Sequence, residues 1–300
     1  MTRRLIFAII FFFLDATGLF AMEPSVLQSQ ELTVVYDAGL EQSARYAMRM
    51  YADSKQALQT LFQWPVPFRP TLVLINDQHQ FRQMAGHPLV VAYALPAENV
   101  MVIDHTRMTT RPFNLQATIK HELCHLLLHY HIKGERLPRW LDEGVCQWAS
   151  DGLADIIVDT RRALLPAAIL SGRYADLANL THGFPRDKNG LILAYEQSKS
   201  IVEYISRTYD QQGVLDLLEL LRQGNELEPA VQIRFAISFD QLEARWREHL
   251  HKNINWFTYL SIHLYEILFV SAALLTILAY IRRFLRKKAY ADQAENSDEP

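Results

Sequence analysis

The sequence predicts an α+β fold: a small mixed sheet with an edge strand packed on a helical lobe, plus one C-terminal transmembrane helix. Three observations carry this reading. Short β-branched and aromatic runs are confined to the first third of the chain, helical spacing of apolar residues takes over after Pro112, and residues 260–281 are apolar apart from His263 and Glu266. Half of the 300 residues are hydrophobic, enough for a sizeable core and too many for a disordered chain. With 30 Lys+Arg against 33 Asp+Glu and a net charge of −3, there is no basic surplus for nucleic acid.

The two ends place the middle. Residues 1–21 read as a signal peptide: Arg3 and Arg4, the apolar run 5–14, then Ala16, Gly18 and Ala21. That run is too short for a spanning helix, which needs about 20 residues. An uncleaved signal anchor and a buried strand are the alternatives. Residues 256–281 read as a transmembrane helix, with Trp256, Tyr259, Tyr265 and Tyr280 as interfacial rings. Arg282, Arg283, Arg286, Lys287 and Lys288 follow, and such a cluster stays in the cytoplasm. A core helix is the bland alternative, though a buried helix rarely stops in five cations. The expected location is a single-pass inner-membrane protein, its middle region on the periplasmic or extracytoplasmic side. Residues 282–300 form a basic, then acidic tail, expected to be disordered from 289 onward.

Between the ends, residues 22–112 read as a small α/β lobe. Strands are expected at 32–36 and 71–75, with 90–93 and 100–103 as a strand pair around Pro96, and helices at 40–62 and 77–84. Residues 113–253 read as a helical lobe. Asn114 can cap a helix to about His131, Pro138 opens another to Ser150, and helices follow at 164–170, 191–209, 214–222, 227–235 and 239–252. No internal repeat is present.

The chemistry-bearing pattern is His121-Glu122-Leu123-Cys124-His125, H-E-x-x-H within an apolar helical stretch. Four residues advance a helix by just over one turn, so both imidazoles can hold one Zn²⁺ while Glu122 takes a proton from water. Two His and a carboxylate suit zinc best among common ions. A catalytic site needs a third ligand, and the segment Pro138-Arg139-Trp140-Leu141-Asp142-Glu143-Gly144 offers one. A turn at Gly134 can fold its helix back and bring Glu143 to the two His residues. Asp142 is the rival, pointing about 100° away on the helix. His129 and His131 continue the stripe too far along to share the ion and read as exposed.

His121 to His125, followed 18 positions later by Glu143 within Trp-Leu-Asp-Glu-Gly, resembles the gluzincin metallopeptidases. Leu137 to Gly144 is especially similar to small bacterial peptidase MA-like domains, relatives of thermolysin and aminopeptidase N. The resemblance implies a zincin-like helical lobe, one zinc per chain, a peptide or protein substrate, and hydrolysis by a zinc-activated water with Glu122 as general base. It also implies a tyrosine that stabilises the oxyanion, and Tyr195 stands where that residue would, although the Lys-Gly that follows it in relatives is missing. Gln147 could hydrogen-bond a ligand where relatives often have an acid. Glu98-Asn99 agrees with part of a relative's amine-binding strand motif, offering Glu98 as a substrate-binding residue and 100–103 as the strand for β-addition.

Two cysteines in an exported chain invite a disulfide. Cys124 lies in the zinc helix and Cys146 one turn past Glu143, so helices that share a metal could be braced by a Cys124–Cys146 bond. His182 sits in a loop before the Tyr195 helix and could line the cleft. Two readings from other classes stay open: a membrane-tethered metal-site binding or scaffold protein without turnover, and a hydrolase of a non-peptide amide. Oligomeric state, physiological substrate and endo- versus aminopeptidase action are not written in the sequence.

Overall fold

The computed structural model describes residues 24–110, 113–151, 156, 164–253 and 264–297. The expected signal peptide therefore lies outside the described residues, as do positions 256–263 of the expected membrane helix. A five-stranded mixed sheet runs in the order β1 (Ser25–Gln28), β2 (Thr33–Tyr36), β3 (Thr71–Ile75), β5 (Val100–Asp104), β4 (Ala92–Leu95). β2, β3 and β5 are mutually parallel, and β1 and β4 close the two edges antiparallel. The sequence reading missed β1, in which only Val26 and Leu27 are apolar.

The period of two along the strands sorts the faces. Val34, Leu72, Leu74, Met101 and Ile103 join the main core with helices α1 (Glu41–Phe62) and α3 (Leu115–His131), while Val35, Val73, Ile75 and Val102 pack with Phe81 of α2 (Gln78–Ala85) on the other face. Residues 100–103 are not the edge. β5 is paired on both sides, and the hairpin turn at 96–99 puts β4 outside it, so residues 100–103 have no edge left for β-addition.

The helical part comprises α3, α4 (Arg139–Ala149), α5 (Leu164–Ser171), α6 (Lys188–Thr208), α7 (Asp210–Arg222), α8 (Leu227–Phe235) and α9 (Phe239–Asn253). Asn114 caps α3 by accepting from the Ala117 N–H, which satisfies one of the four N–H groups every helix start leaves open. α4 is the middle of this half. It packs on α3 on one side and along α6 on the other. Gly144 permits the second contact: a Cβ there would stand 2.1 Å from the Ser198 carbonyl oxygen and 2.7 Å from a Val202 methyl.

The last helix, α10 (Leu264–Ser297), begins with a 22-residue apolar window, Leu264–Leu285, none of it buried against the rest of the protein. Twenty-two residues of helix span about 33 Å, enough for a hydrocarbon layer of about 30 Å. This is a candidate membrane span, and its exposure argues against the core-helix alternative. The helix runs on to Ser297, where the sequence reading expected disorder from 289.

Gly144→Ala is expected to destabilise the protein by about 1–3 kcal/mol through overpacking, despite about 1 kcal/mol gained in helix propensity. The unfolding midpoint of the detergent-solubilised protein measures this, and an unchanged midpoint would mean that α6 can retreat from α4.

Candidate metal centre

α3 presents His121 and His125 on one side because residues four apart share a helix face. A turn through Gly134, at φ +73°, reverses the chain into α4 and brings up Glu143. The Nε2 atoms of the two His residues lie 3.2 Å apart, and Glu143 places Oε1 3.3 Å from His121 Nε2 and Oε2 3.8 Å from His125 Nε2. All three side chains are buried. Tetrahedral bonds of about 2.0–2.1 Å separate their ligand atoms by about 3.3–3.4 Å, so these donors fit an ion of zinc's size.

The far side of each ring supports the same use. Ser150 Oγ donates to the Cys146 carbonyl oxygen at 2.6 Å, so it accepts from His121 Nδ1, 3.2 Å away. His125 Nδ1 donates to Asp142 Oδ1 at 2.7 Å. With hydrogens on both Nδ1 atoms, the Nε2 lone pairs are left for a metal. Asp142, the rival ligand, thus faces the outer nitrogen of His125. Its second oxygen accepts from His129 Nε2 at 3.0 Å and from the Arg139 guanidinium at 3.2 Å. His129 is accordingly half-buried and engaged, not simply exposed. His131 is also half-buried, its Nε2 2.8 Å from the Pro65 carbonyl oxygen. Arg139 also reaches Glu143 Oε2 at 3.2 Å.

These neighbours set the charges. Burial alone would favour a neutral Asp142, but the charge and hydrogen bond of His125, with His129 and Arg139, hold it well below the usual carboxylate range. Glu143 is lowered too, burial being outweighed by His121, Arg139 and His125. Burial disfavours the charged form of His125, yet Asp142, with Glu143 and Glu122, pushes it up to about 10.

Cys124 and Cys146 form a disulfide between the two metal-bearing helices, with a Cα–Cα distance of 5.5 Å. Cys146 also stands near His125 and Asp142, but the bond takes its sulfur out of any ligand set. Gln147 does not reach a ligand atom of the trio; its Nε2 donates to the Tyr195 carbonyl oxygen at 3.2 Å and ties α4 to α6. Tyr195 is buried with Ile156 and Ile192, its ring 5.3 Å from that of Phe184. Glu98 is exposed in the turn after β4 and His182 is exposed in its loop, neither joining the cluster.

The sequence profile of the Peptidase MA superfamily matches residues 87–252, more than half of the chain. The chain belongs to the Peptidase MA superfamily. No curated protein matches it. Among solved structures it is similar to a mutant of the M1 zinc metallopeptidase of Deinococcus radiodurans, at 15% identity and a TM-score of 0.37. It is also similar to that mutant bound to a Tyr-Ser-Ala substrate, at 14% identity and a TM-score of 0.35. Each match covers 75% of this chain and 51% of the other, so the chain spans about half the length of those enzymes.

The matched stretch of this Peptidase MA chain runs from just before β4 to α9 and includes all three donors and Tyr195. Sequence reasoning missed Ser150, the orienting role of Asp142 and the engagement of His129. The i, i+4 spacing of His125 and His129 was the available signal, since it sets two imidazoles beside one α4 carboxylate.

Metal uptake should be proton-coupled. Below a pKa of about 10, His125 carries a proton that a ligand must give up, so apparent zinc affinity falls as pH falls, about tenfold per unit for one proton. Chelator competition between pH 7 and 9 reads this slope, and a flat profile would count against His125 as a ligand. Asp142→Ala should weaken zinc binding about 10–100-fold.

Proposed function

We propose that the chain is a membrane-anchored zinc-dependent peptidase. The single observation carrying this reading is the convergence of His121, His125 and Glu143 on one buried point, with Glu122 buried beside them on α3. Membership of the Peptidase MA superfamily supplies the reaction class. One zinc per chain would act as a Lewis acid, polarising the scissile carbonyl and making an attacking water more acidic.

The protein groups then divide the work. Glu122 accepts the proton of the attacking water at its carboxylate and hands it to the departing amine. The Tyr195 hydroxyl donates to the oxyanion as it develops, held in place by the α4–α6 packing and the Gln147 bond to its backbone. β4, which packs on α3 and is half-buried at Ala94 and exposed at Leu95, is offered to an extended peptide for main-chain hydrogen bonds. Glu98, exposed beyond Leu95, is offered to a substrate amine at that end. α10 anchors the enzyme in the bilayer, with its basic flank on the cytoplasmic side.

The test uses the full-length protein in detergent micelles and a mixed peptide library. Wild type should bind one zinc and cut peptides, and Glu122→Gln should keep the zinc and lose cutting. Tyr195→Phe should retain zinc and lower kcat about 10²–10³-fold. Zinc bound without any peptide cleavage would favour the binding-protein or non-peptide reading, and absence of metal binding would overturn the site itself.

A further inference from the structure

Residues 181–187 lead into α6 and are tied down along their length. At the start, the Arg139 N–H of α4 donates to the Thr181 carbonyl oxygen at 2.8 Å. At the end, Asp187 caps α6 by accepting from the Gly190 N–H at 2.9 Å. A third tie comes from His87. Its Nδ1 accepts from the Leu89 N–H at 3.2 Å, so Nε2 carries the hydrogen that it donates to the Arg186 carbonyl oxygen at 3.3 Å.

This anchored segment delivers Phe184 to two groups of the candidate centre. The Arg139 guanidinium carbon stands 5.6 Å from the Phe184 ring centroid, within cation–π range. The Tyr195 ring centroid lies 5.3 Å away at an interplanar angle of 71°, the edge-to-face arrangement that aromatic pairs prefer. Phe184 is half-buried and packs both on the main core and on the cluster of Tyr195, Ile156 and Ile192. Arg139 is itself held, with Asp142 Oδ2 and Glu143 Oε2 each 3.2 Å from its guanidinium. Phe184 therefore rests on a fixed cation and gives the Tyr195 ring a wall to lean on.

Resting on the peptidase reading above, we infer that Phe184 is a positioning residue: it keeps the Tyr195 ring at the tilt from which its hydroxyl serves the oxyanion. The aliphatic neighbours Ile156 and Ile192 fill space around that ring without favouring one tilt. An edge-to-face contact differs from them, because its strength depends on the angle between the rings. The hydroxyl is needed only once charge develops on the oxygen, so loosening the ring lowers kcat and leaves ground-state binding, read as KM, where it was.

The experiment uses zinc-loaded full-length protein in micelles and a fluorogenic peptide that wild type cuts. Phe184→Leu, which keeps the apolar bulk and removes the ring, should lower kcat about tenfold, with KM and zinc affinity held to within about twofold. Phe184→Tyr keeps the ring and should recover most of the rate. Added to Tyr195→Phe, the Phe184→Leu change should cost no further rate, because no hydroxyl is left to position. Losses that multiply in the double variant, or a Phe184→Leu enzyme with the kcat of wild type, overturn the inference. A fall in zinc affinity that matches the fall in kcat overturns it too.

Carbon NMR of the same protein labelled at the tyrosine Cζ separates this inference from the peptidase reading. That atom bears the hydroxyl and lies on the ring axis, so ring flips leave its signal unchanged. The Tyr195 signal is identified by its loss in Tyr195→Phe. Wild type should give one sharp Tyr195 signal, and Phe184→Leu more than one, or one broadened by exchange. That result without peptide cleavage by wild type sinks the peptidase reading and leaves the hold of Phe184 on Tyr195 standing. A single sharp signal in Phe184→Leu removes the inference, whether or not peptides are cut.

Discussion

Three donor atoms from two helices can share one ion only where the backbones approach closely enough for short side chains to converge. α3 and α4 meet this demand at the Cys124–Cys146 contact, where their Cα atoms are 5.5 Å apart. α4 must then be covered on its other side, and Gly144 lets α6 settle directly on it. The result is a helix buried continuously from Trp140 to Gln147. An unmatched buried polar atom costs on the order of 1–3 kcal/mol, and of the polar side chains here Trp140 leaves its Nε1 without a hydrogen-bond partner. Asp142 answers to two imidazoles and Arg139 and Gln147 to the backbone of α6, while Glu143 is ion-paired with Arg139 and turns its oxygens toward the Nε2 atoms of the two imidazoles.

The same crowding explains the charge arrangement. Asp142 and Glu143 are adjacent buried carboxylates near the start of α4, where the positive end of the helix dipole favours anions. Arg139 supplies one full positive charge, and the neighbouring carboxylates raise the pKa of His125. Arg139 is about 40% exposed at its side chain, which keeps this compensation in contact with solvent.

Much of this was legible in the sequence, for a physical reason. H-E-x-x-H and Glu143 are local signals on two helices whose apolar spacing is strong, and a turn between them leaves little freedom in how they meet. The sequence sets Asp142 apart from Glu143 by its angle around the helix, but what lies at that angle is a tertiary fact, the outer nitrogen of His125. Sheet order was not legible. Residues 90–93 and 100–103 read as a pair around Pro96, but which of the two lies outside depends on β3 pairing with β5, a tertiary contact. Ser150 gave no signal because a serine at a helix end more often bonds to its own backbone, as this one does to Cys146 while also supporting His121. β1 escaped because its four residues carry too little apolar content to stand out from a loop.

The disulfide closes a loop 22 positions long, with His125 just inside one end and Glu143 just inside the other. In the chain-entropy treatment such a crosslink stabilises a fold by about 3 kcal/mol, through the freedom it removes from the unfolded chain. It also means that unfolding does not disperse these two donors. An oxidised, denatured chain remains a small macrocycle carrying an imidazole and a carboxylate near its neck, a weak chelator in its own right. Ligand that binds the unfolded state reduces the stabilisation expected from metal binding to the native one. Zinc should therefore protect the oxidised protein against heat or denaturant by less than its native-state affinity alone implies, so the crosslink and the ion overlap in the stability each provides.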